Sequence, residues 1–313
     1  MITQPRVACV VLNWNAYEDT AQCLNSLLST DYDNLEIIVV DNGSTDDSGK
    51  KLAESFPQAS VIQNDENLGF AGGMNTGISR ALENESKYII ISNNDILMEN
   101  AESINNLVSV LENDDRIGII TPEIREWPDC DSVWFRQGYV DKRSGNASHI
   151  DTHRSFPNLR LKPNIYHSDK SDTLLSNDYV PLCFALVRSQ AFREVGLLAE
   201  HYFMYYEDIE FAQRVQNQGY EVLTDTTTKV YHRVSGSSGG NQSPLAVYYS
   251  ARNRLRYIHD NSEYGIVAYL IYFWWATIKT IHSTVVRQNK NLKAFLLGVY
   301  DGVRGKTGKG RYP

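Results

Sequence analysis

Roughly the first 120 residues alternate short apolar, β-branched runs with segments in which apolar residues recur at the spacing of a helix. The apolar runs are typical of strands, and the other segments are typical of amphipathic helices. Strands that alternate with helices in this way form a parallel sheet with crossover helices. The pattern predicts strands at 6–12, 36–40, 60–63, 88–92 and 117–121, and helices at 20–28, 74–82 and 101–111.

The periodicity weakens after the fifth predicted strand and later returns. Between residues 126 and 176 the apolar residues give way to Pro, Asp, Ser, Asn and His, which indicates a long loop or insertion. Such a segment often covers an active site. Order returns with a predicted strand at 179–188, a helix from 207 to 218 and a strand at 229–233.

The last part of the chain differs from the rest in composition and charge. Residues 235–243, SGSSGGNQS, have the composition of a flexible hinge. Residues 1–249 contain 19 Lys and Arg against 35 Asp and Glu, whereas residues 250–313 contain 11 against 3. We therefore predict an α/β domain over 1–243 and a basic, aromatic, helical tail over 244–313.

The overall composition is that of an ordinary globular protein, with 42% hydrophobic and 22% charged residues. The net charge of −8 argues against a nucleic-acid partner, which needs a basic face. Cys9, Cys23, Cys130 and Cys183 form no CxxC pair, which favours reduced thiols and a cytoplasmic location. The amino-terminal apolar run at 7–12 is too short for the core of a signal peptide.

The tail contains an uncharged stretch at 264–278, YGIVAYLIYFWWATI, that is shorter than the ~20 residues a membrane-spanning helix needs. Arg252, Arg254 and Arg256 precede it. Basic residues beside an aromatic, apolar surface are typical of an interfacial membrane anchor. A helical pair that packs on the domain or forms a homodimer interface fits the same pattern, and both readings stay open.

Polar residues follow the carboxyl ends of the predicted strands, where open α/β sheets bind ligands. Asn13 follows the first strand, and Asp41 follows the second in the sequence VVDNGSTDDS. A carboxylate at such a position can accept hydrogen bonds from a nucleobase imide or a ribose hydroxyl. Taken alone, DNGS is equally typical of a turn with an N-capping hydroxyl.

Glycines follow the third strand in NDENLGFAGGMNTGI, which also contains Asn67, Gly73 and Asn75. Glycines at a turn between a strand and a helix let backbone amides approach a diphosphate, and a helix beginning near Met74 favours negative charge there. The run is neither GxGxxG nor a P-loop, so dinucleotide and ATPase functions lose support. A cluster of glycines that only allows close helix packing is the alternative.

The fourth strand ends in Asn93-Asn94-Asp95. Mg²⁺ or Mn²⁺ bound to a nucleoside diphosphate needs only one or two protein oxygens, because phosphates and water supply the others. Asp95 is therefore a candidate metal ligand, with an Asn-rich turn as the alternative. Glu207 and Asp208 open the later helix, where acidic residues also complement the helix dipole.

Taken in order, LNWN, VVDNGSTD, NLGFAGGMNTGI, NND and FMYYEDIEFAQRVQNQGY resemble the motifs of the inverting family 2 glycosyltransferases. The rhamnosyltransferase branch is the most similar. The resemblance extends from about Val7 to Gly240. It implies the α/β fold called GT-A, a Rossmann-like, mostly parallel sheet flanked by helices, here followed by the helical tail.

The resemblance implies roles for the donor-site residues. Asp41 would recognise the pyrimidine base, and the backbone at Leu12 and Asn13 would line the same nucleotide pocket. Asn94 would face the ribose, and Asp95 would hold the divalent metal. Many relatives carry acidic residues where this chain has Asn, which predicts weaker metal binding. Three further residues complete the predicted donor site: Asn67, Gly73 and Asn75.

The resemblance also implies the catalytic residues. Asp208 would be the general base that deprotonates the acceptor hydroxyl, and Glu207 would orient the acceptor. His232 would reach the metal or the diphosphate, although a histidine on a strand is as often structural. Three residues of the 126–176 segment are further candidates for contact with the acceptor: Trp134, His149 and His153.

The function that follows is transfer of a sugar from a dTDP- or UDP-linked donor, with L-rhamnose from dTDP-rhamnose as one candidate. The acceptor would be lipid-linked or a growing polysaccharide, at the inner face of the cell membrane. A sugar-nucleotide nucleotidyltransferase is an alternative, but it predicts a basic, glycine-rich motif where this chain has LNWNAYED. A catalytically silent binding scaffold is another, although Asp41, Asp95 and Asp208 are all present.

Overall fold

The fold, seen in a computed structural model, is built on a single large sheet. The structure describes residues 4–149, 167–168, 171–233, 243–285 and 291–311. The strands are β1 Val7–Asn13, β2 Leu35–Asp41, β3 Ser60–Gln63, β4 Tyr88–Asn93, β5 Ile96–Met98, β6 Ile117–Glu126, β7 Val133–Phe135, β8 Gly138–Asp141, β9 Asn146–His149, β10 His167–Ser168, β11 Ser171–Ser176, β12 Phe184–Arg188 and β13 Glu221–His232. The helices are α1 Tyr17–Leu28, α2 Ser48–Ser55, α3 Gly69–Glu83, α4 Ser103–Asn113, α5 Ser189–Val195, α6 Glu207–Asn217, α7 Pro244–Asn261, α8 Ile266–Val285 and α9 Leu292–Val303, with a 3-10 turn at Glu200–Tyr202.

The main path of the sheet runs in the order β10-β11-β13-β6-β12-β4-β1-β2-β3, and β5 and β7 pair with β13 and β6. The parallel pairs are β3 with β2, β2 with β1, β1 with β4, and β6 with β13. β12 runs antiparallel between β4 and β6. This architecture confirms the predicted mostly parallel α/β sheet flanked by helices, followed by carboxyl-terminal helices.

The register explains why the polar strand ends come together. Asn13 pairs with Asp41 across β1 and β2, and Leu12 pairs with Asn93 across β1 and β4. These strands are buried on both faces, which is why they appear in the sequence as continuous apolar runs. The carboxyl ends of the three strands therefore share one edge, as the alternating pattern predicts.

The segment 126–176 differs from the predicted loop or insertion. In its described part, β7 pairs with β6, β8 and β9 form a separate hairpin, and β11 extends the main sheet beside β13. Each of these strands has at most six residues, too few to produce a visible apolar alternation. His153 lies outside the described residues.

Several predicted boundaries also shift. The strand predicted at 179–188 is confined to Phe184–Arg188, and the one at 229–233 begins earlier, at Glu221. Helix α3 begins at Gly69 rather than near Met74, directly after a turn in which Asn67 Oδ1 accepts a hydrogen bond from the Gly69 amide. The glycines predicted to lie in a turn therefore lie inside the helix.

The tail folds into three helices. Ser243, the last residue of the predicted hinge and the only one described, caps α7 by accepting a hydrogen bond from the Ala246 amide. α7 packs along α9, and Tyr272 of α8 is buried against α7 with its hydroxyl donating to the Ala251 carbonyl. None of the helices in the described part of the chain has the length and apolar character needed to cross a bilayer.

Candidate active site

A cavity of about 580 Å³ lies at the carboxyl edge of the sheet. Leu12 and Asp95 line it from the strand ends, and Asp208 lines it from the beginning of α6. Arg254 of α7 and Trp275 of α8 also line the cavity. The tail therefore contributes part of the cavity surface, which the sequence alone did not indicate.

Asp95 and His232 form a polar pair on this cavity. His232 is the last residue of β13 and pairs with Ile96 of β5, which places it beside Asp95. The His232 Nε2 to Asp95 Oδ1 distance is 3.2 Å, and both side chains are about nine-tenths buried. Within the described part of the chain, the Asp95 Oδ1 and His232 Nδ1 atoms nevertheless have no partner in hydrogen-bond geometry.

A buried oxygen and a buried nitrogen that lack a hydrogen-bond partner among the described residues are suited to bind a divalent cation. A carboxylate oxygen and an imidazole nitrogen are both ligands for Mn²⁺, and phosphates and water complete the shell when a nucleotide is bound. No group of three or more His, Cys, Asp or Glu side chains that could hold a metal occurs in the described part of the chain. Asp95 and His232 are therefore two candidate ligands, and the weaker metal binding expected from the NND sequence stays a prediction.

Glu207 and Asp208 occupy the first turn of α6, at the edge of the cavity. Burial raises the pKa of Asp208 to about 6. Burial, and secondly the charge of Asp208, raise the pKa of Glu207 well above its usual range. Asp208 Oδ1 accepts a hydrogen bond from the Ile209 amide, whereas the buried Glu207 Oε2 has no hydrogen-bond partner among the described residues. A carboxylate with such a pKa is suited to accept a proton near neutral pH.

Three of the four residues before this acid pair have unusual backbone conformations. Phe203, Tyr205 and Tyr206 all have φ values between 65° and 80°. Non-glycine residues rarely adopt this region, and such strain persists only where the surroundings hold it. The loop therefore depends on contacts from elsewhere in the chain.

Two residues of α7 supply those contacts. Asn253 Nδ2 donates to the carbonyls of Tyr202, Met204 and Tyr205 at 2.7 to 2.9 Å. Arg252, which is fully buried, donates to the Tyr202 carbonyl at 2.9 Å. The tail thus holds the loop that leads into the acid pair. The sequence did not indicate that either residue contacts this loop, because their partners are backbone carbonyls about 50 positions away.

Asp41 and Asn13 are buried and lie outside the cavity lining, which includes their chain neighbours Asn42 and Leu12. Asn13 Nδ2 donates to Asp41 Oδ1 at 2.7 Å and to Ser48 Oγ at 2.9 Å, while Ser44 also donates to Asp41. Gly49 leaves room for the carboxylate, since a Cβ at that position would collide with it. These contacts fix the conformation of the loop after β2, and recognition of a base by Asp41 stays a prediction.

Asn42, which sequence reasoning missed as a site residue, connects two loops at the cavity wall. Its Nδ2 donates to Asn67 Oδ1 and to the Gly69 carbonyl, and its Oδ1 accepts from the Leu68 amide. Gly69 has φ +77°, and a Cβ there would collide with the Phe203 carbonyl. Asn67 and Gly69 line the cavity, as the predicted diphosphate loop requires.

Gly73 and Asn75 are placed differently from the rest of the predicted donor site. A Cβ at Gly73 would meet Leu12 and Asn42, so this glycine allows α3 to pack closely on the strand ends. Asn75 exchanges hydrogen bonds with the backbone of Leu198 and donates to Glu200 Oε1. The cavity lining includes neither residue, and their contacts join α3 to neighbouring segments.

The remaining predicted residues converge on the cavity. Asn94 lines it while donating to Thr20 Oγ1 at 2.9 Å. Trp134 and His149, from the 126–176 segment, also line it. The Trp134 ring contacts both His149 and His232 edge-on, at centroid distances of 4.9 and 4.7 Å. The segment therefore forms part of the site, while contact with an acceptor stays a prediction.

The comparisons with known proteins agree with this geometry. The family model described as glycosyl transferase family 2 matches residues 8–196, and the chain belongs to this family. The protein is therefore a glycosyltransferase. The matched range ends before Glu207 and Asp208, so the assignment of the acid pair depends on the cavity geometry and the motif order.

Two relatives cover nearly the whole chain. A dTDP-rhamnosyl transferase of Shigella flexneri is 26% identical over 95% of this chain and 96% of its own length. A low-salt glycan biosynthesis hexosyltransferase of Haloferax volcanii is 23% identical over 97% and 92%. An N-acetylglucosaminyl-diphospho-decaprenol L-rhamnosyltransferase of Mycobacterium tuberculosis is 25% identical over 77% of each chain.

Solved structures confirm the GT-A fold. GalNAc-T7, solved with UDP, GalNAc and Mn²⁺, superimposes with a TM-score of 0.64 at 16% identity, over 84% of this chain and 50% of that one. A mannosyltransferase from Pyrobaculum calidifontis, solved with GDP-Man and Mn²⁺, gives 0.58 at 14% identity, over 97% and 89%.

Proposed function

We propose that the protein transfers a sugar from a nucleoside diphosphate donor to an acceptor hydroxyl by direct displacement with inversion. The observation that carries the proposal is one cavity that contains the Asp95 and His232 pair and, from α6, an aspartate whose pKa burial raises to about 6. Residues 1–243 form the catalytic domain in this proposal, and 244–313 form the tail.

Asp208 takes the proton from the acceptor hydroxyl as the oxygen attacks the sugar carbon. Glu207, in the same helical turn, orients the acceptor. Inversion needs one base opposite the leaving diphosphate and no protein nucleophile. Asp95 and His232 would hold Mg²⁺ or Mn²⁺, which stabilises negative charge on a leaving diphosphate when it is bound.

The donor and acceptor classes follow from the relatives. The names of two of them specify a rhamnosyl transfer, one from a dTDP-linked donor and one to a diphosphate-linked lipid acceptor. We propose dTDP-rhamnose as the first donor to test, with UDP-linked sugars next. The acceptor in the proposal is a lipid-linked or polysaccharide glycan.

The tail is proposed to attach the enzyme to the inner face of the cell membrane. α8 exposes apolar side chains spaced four residues apart, among them Leu270 and Trp274, and Trp274 is 70% exposed. Exposed basic residues of the tail, including Lys293 and Arg304, complement anionic lipids. Binding to anionic vesicles tests this proposal, and a dimer formed through the same face would contradict it.

The deciding experiment measures product formation from dTDP-rhamnose, with Mg²⁺, with Mn²⁺ and with EDTA. Release of dTDP with glycosylated acceptor supports the proposal. Formation of dTTP and rhamnose 1-phosphate when pyrophosphate is added to dTDP-rhamnose would instead assign the protein to the nucleotidyltransferases. Nucleotide binding without any turnover on a panel of diphosphate-linked acceptors would favour a silent scaffold. Asp208→Asn is the inactive control, and Asp172→Asn, an exposed aspartate of β11, is the matched active control.

A further inference from the structure

Two cations of the tail line the same cavity and contact the same aromatic ring. Arg254 Cζ is 4.7 Å from the Trp275 ring centre, and Lys279 Nζ is 4.9 Å from it. Lys279 also lies 4.6 Å from the Phe295 ring centre. Arg254 is only 5% exposed. Two positive charges therefore contact the same tryptophan ring in the cavity wall.

Neither cation has an acidic partner within 4 Å in the part of the chain that the structure describes. The hydrogen bond that the structure gives Arg254 goes from Nε to the Ser144 carbonyl, at 2.9 Å. Other cations of the tail are paired: Arg256 with Asp260, and both Lys306 and Arg311 with Asp301.

The lack of an acidic partner for these two cations costs free energy. Burial, and secondly the positive charge of Arg254, lower the pKa of Lys279. Cation–π contacts offset only part of the cost of removing a charge from water. Two adjacent cations kept without a counter-ion in a ligand cavity are expected where the ligand brings the negative charge.

We propose that Arg254 and Lys279 bind the phosphate or diphosphate group of the acceptor. A guanidinium can bind two phosphate oxygens at once, and an ammonium adds a third contact. The proposal rests on the proposed function, because it assigns a binding site to the acceptor, the substrate that receives the sugar from the donor. The donor diphosphate belongs to the wall formed by the strand ends, with Asp95.

The position of Lys279 also fits a lipid-borne anion. It is on α8, next to the exposed Ile278. A phosphate bound by Lys279 would therefore lie close to the apolar face of this helix, where a lipid chain finds a suitable surface. Inorganic diphosphate has the same charged group without the chain, so the two sources can be separated by experiment.

The test uses isothermal titration of the full chain with farnesyl diphosphate, inorganic pyrophosphate and farnesol. A fixed concentration of Mg²⁺ and saturating dTDP are present to occupy the donor site. We expect Lys279→Gln to weaken farnesyl diphosphate binding about 10-fold to 100-fold, the usual effect of losing one charged hydrogen bond. Lys279→Arg should retain binding, and Lys51→Gln, which replaces an exposed lysine of α2 outside the cavity, should bind as the wild type does.

The outcomes are distinct. Equal affinity in wild type and Lys279→Gln, no binding of farnesyl diphosphate, or equally tight binding of farnesol would overturn the proposal. Pyrophosphate binding that is weaker but equally dependent on Lys279 supports a lipid-linked source, whereas equal affinity supports free diphosphate. Lys279→Gln loses no hydrogen bond within the described residues, and an unchanged melting temperature verifies its fold.

Direct binding of dTDP, measured separately, tests the proposed function. Absence of dTDP binding together with Lys279-dependent binding of farnesyl diphosphate would refute the donor assignment and leave the anion site intact. Arg254→Gln is a second variant with the same expected loss. Because Arg254 also contacts the Ser144 backbone, its result is interpreted only if the melting temperature is unchanged.

Discussion

Replacement of Asp208 by Asn separates catalysis from stability. The amide has nearly the same shape, and its oxygen can still accept the hydrogen bond from the Ile209 amide. The substitution removes the negative charge and the ability to accept a proton. We expect glycosyl transfer to fall by about 10² to 10⁴-fold, the usual contribution of a general base.

The same change should stabilise the fold above pH 6. Burial raises the pKa of Asp208 from 3.8 to about 6. At 1.36 kcal/mol per unit of pKa, the ionised side chain costs the folded state up to about 3 kcal/mol. Asp208 is half-buried and borders a cavity that admits water, so we expect a gain of about 1 to 2 kcal/mol.

The sign of the pH dependence follows from linkage. A carboxyl group whose pKa is higher in the folded chain binds protons more tightly when folded. The cost of ionisation is therefore fully present above pH 6 and disappears as the pH falls to about 4. In Asp208→Asn the pKa of Glu207 should also fall, because one cause of its raised value is the charge of Asp208. This second effect has the same sign.

Thermal unfolding of wild type and Asp208→Asn between pH 4 and pH 8 is the assay, with transfer activity measured on the same samples. Asp172→Asn serves as the control because Asp172 is exposed on β11. The wild-type activity should fall as the pH drops through 6. A variant that is active to within tenfold of wild type, or less stable at pH 8, would refute the role and the burial argument.

The remaining predictions concern the metal, the loop and the tail. Asp95→Ala should abolish the part of nucleotide affinity that depends on Mn²⁺, measured by titration with and without EDTA; an unchanged metal effect would exclude Asp95 as a ligand. Asn253→Ala removes a donor shared by three loop carbonyls, and we expect it to cost about 1 to 3 kcal/mol of stability, measured by denaturant unfolding, and to lower kcat. A normal kcat would show that the loop keeps its conformation without these hydrogen bonds. Gly69→Ala should cost about 2 kcal/mol or more, since φ is +77° and the Phe203 carbonyl blocks a Cβ; an unchanged melting temperature would contradict this. Trp274→Ser should weaken binding to anionic vesicles several-fold with stability changed by less than about 0.5 kcal/mol, and equal sedimentation of both proteins with vesicles would refute the membrane proposal.

The parallel half of the sheet was predictable because its information is local. β1, β2 and β4 are buried, β-branched runs bounded by polar residues, and burial on both faces leaves a continuous apolar signal. The motifs at the strand ends follow, since parallel strands bring their carboxyl ends to one edge. Asp95 is predicted in this way and Asp208 through the family resemblance, and both line the cavity.

The short strands between residues 126 and 176 were not predictable in the same way. β7 has three residues and β8 and β9 have four each, and such strands are stabilised by pairing partners rather than by their own pattern. Gly73 and Asn75 illustrate a related difficulty. A glycine or asparagine near a helix start is compatible with phosphate binding and with close packing, and only the contacts distinguish them.

The sequence by itself determined the α/β class, the order of the motifs, the family and the acidic residues that carry the proposed chemistry. Those properties depend on local periodicity and on residue type. Only the tertiary structure shows that the tail lines part of the cavity. It also shows that Asn253 donates hydrogen bonds to the loop before the acid pair, and that Arg254 and Lys279 contact the same tryptophan ring. These relations join residues far apart in the chain, and burial and charge pairing become defined only when the chain folds.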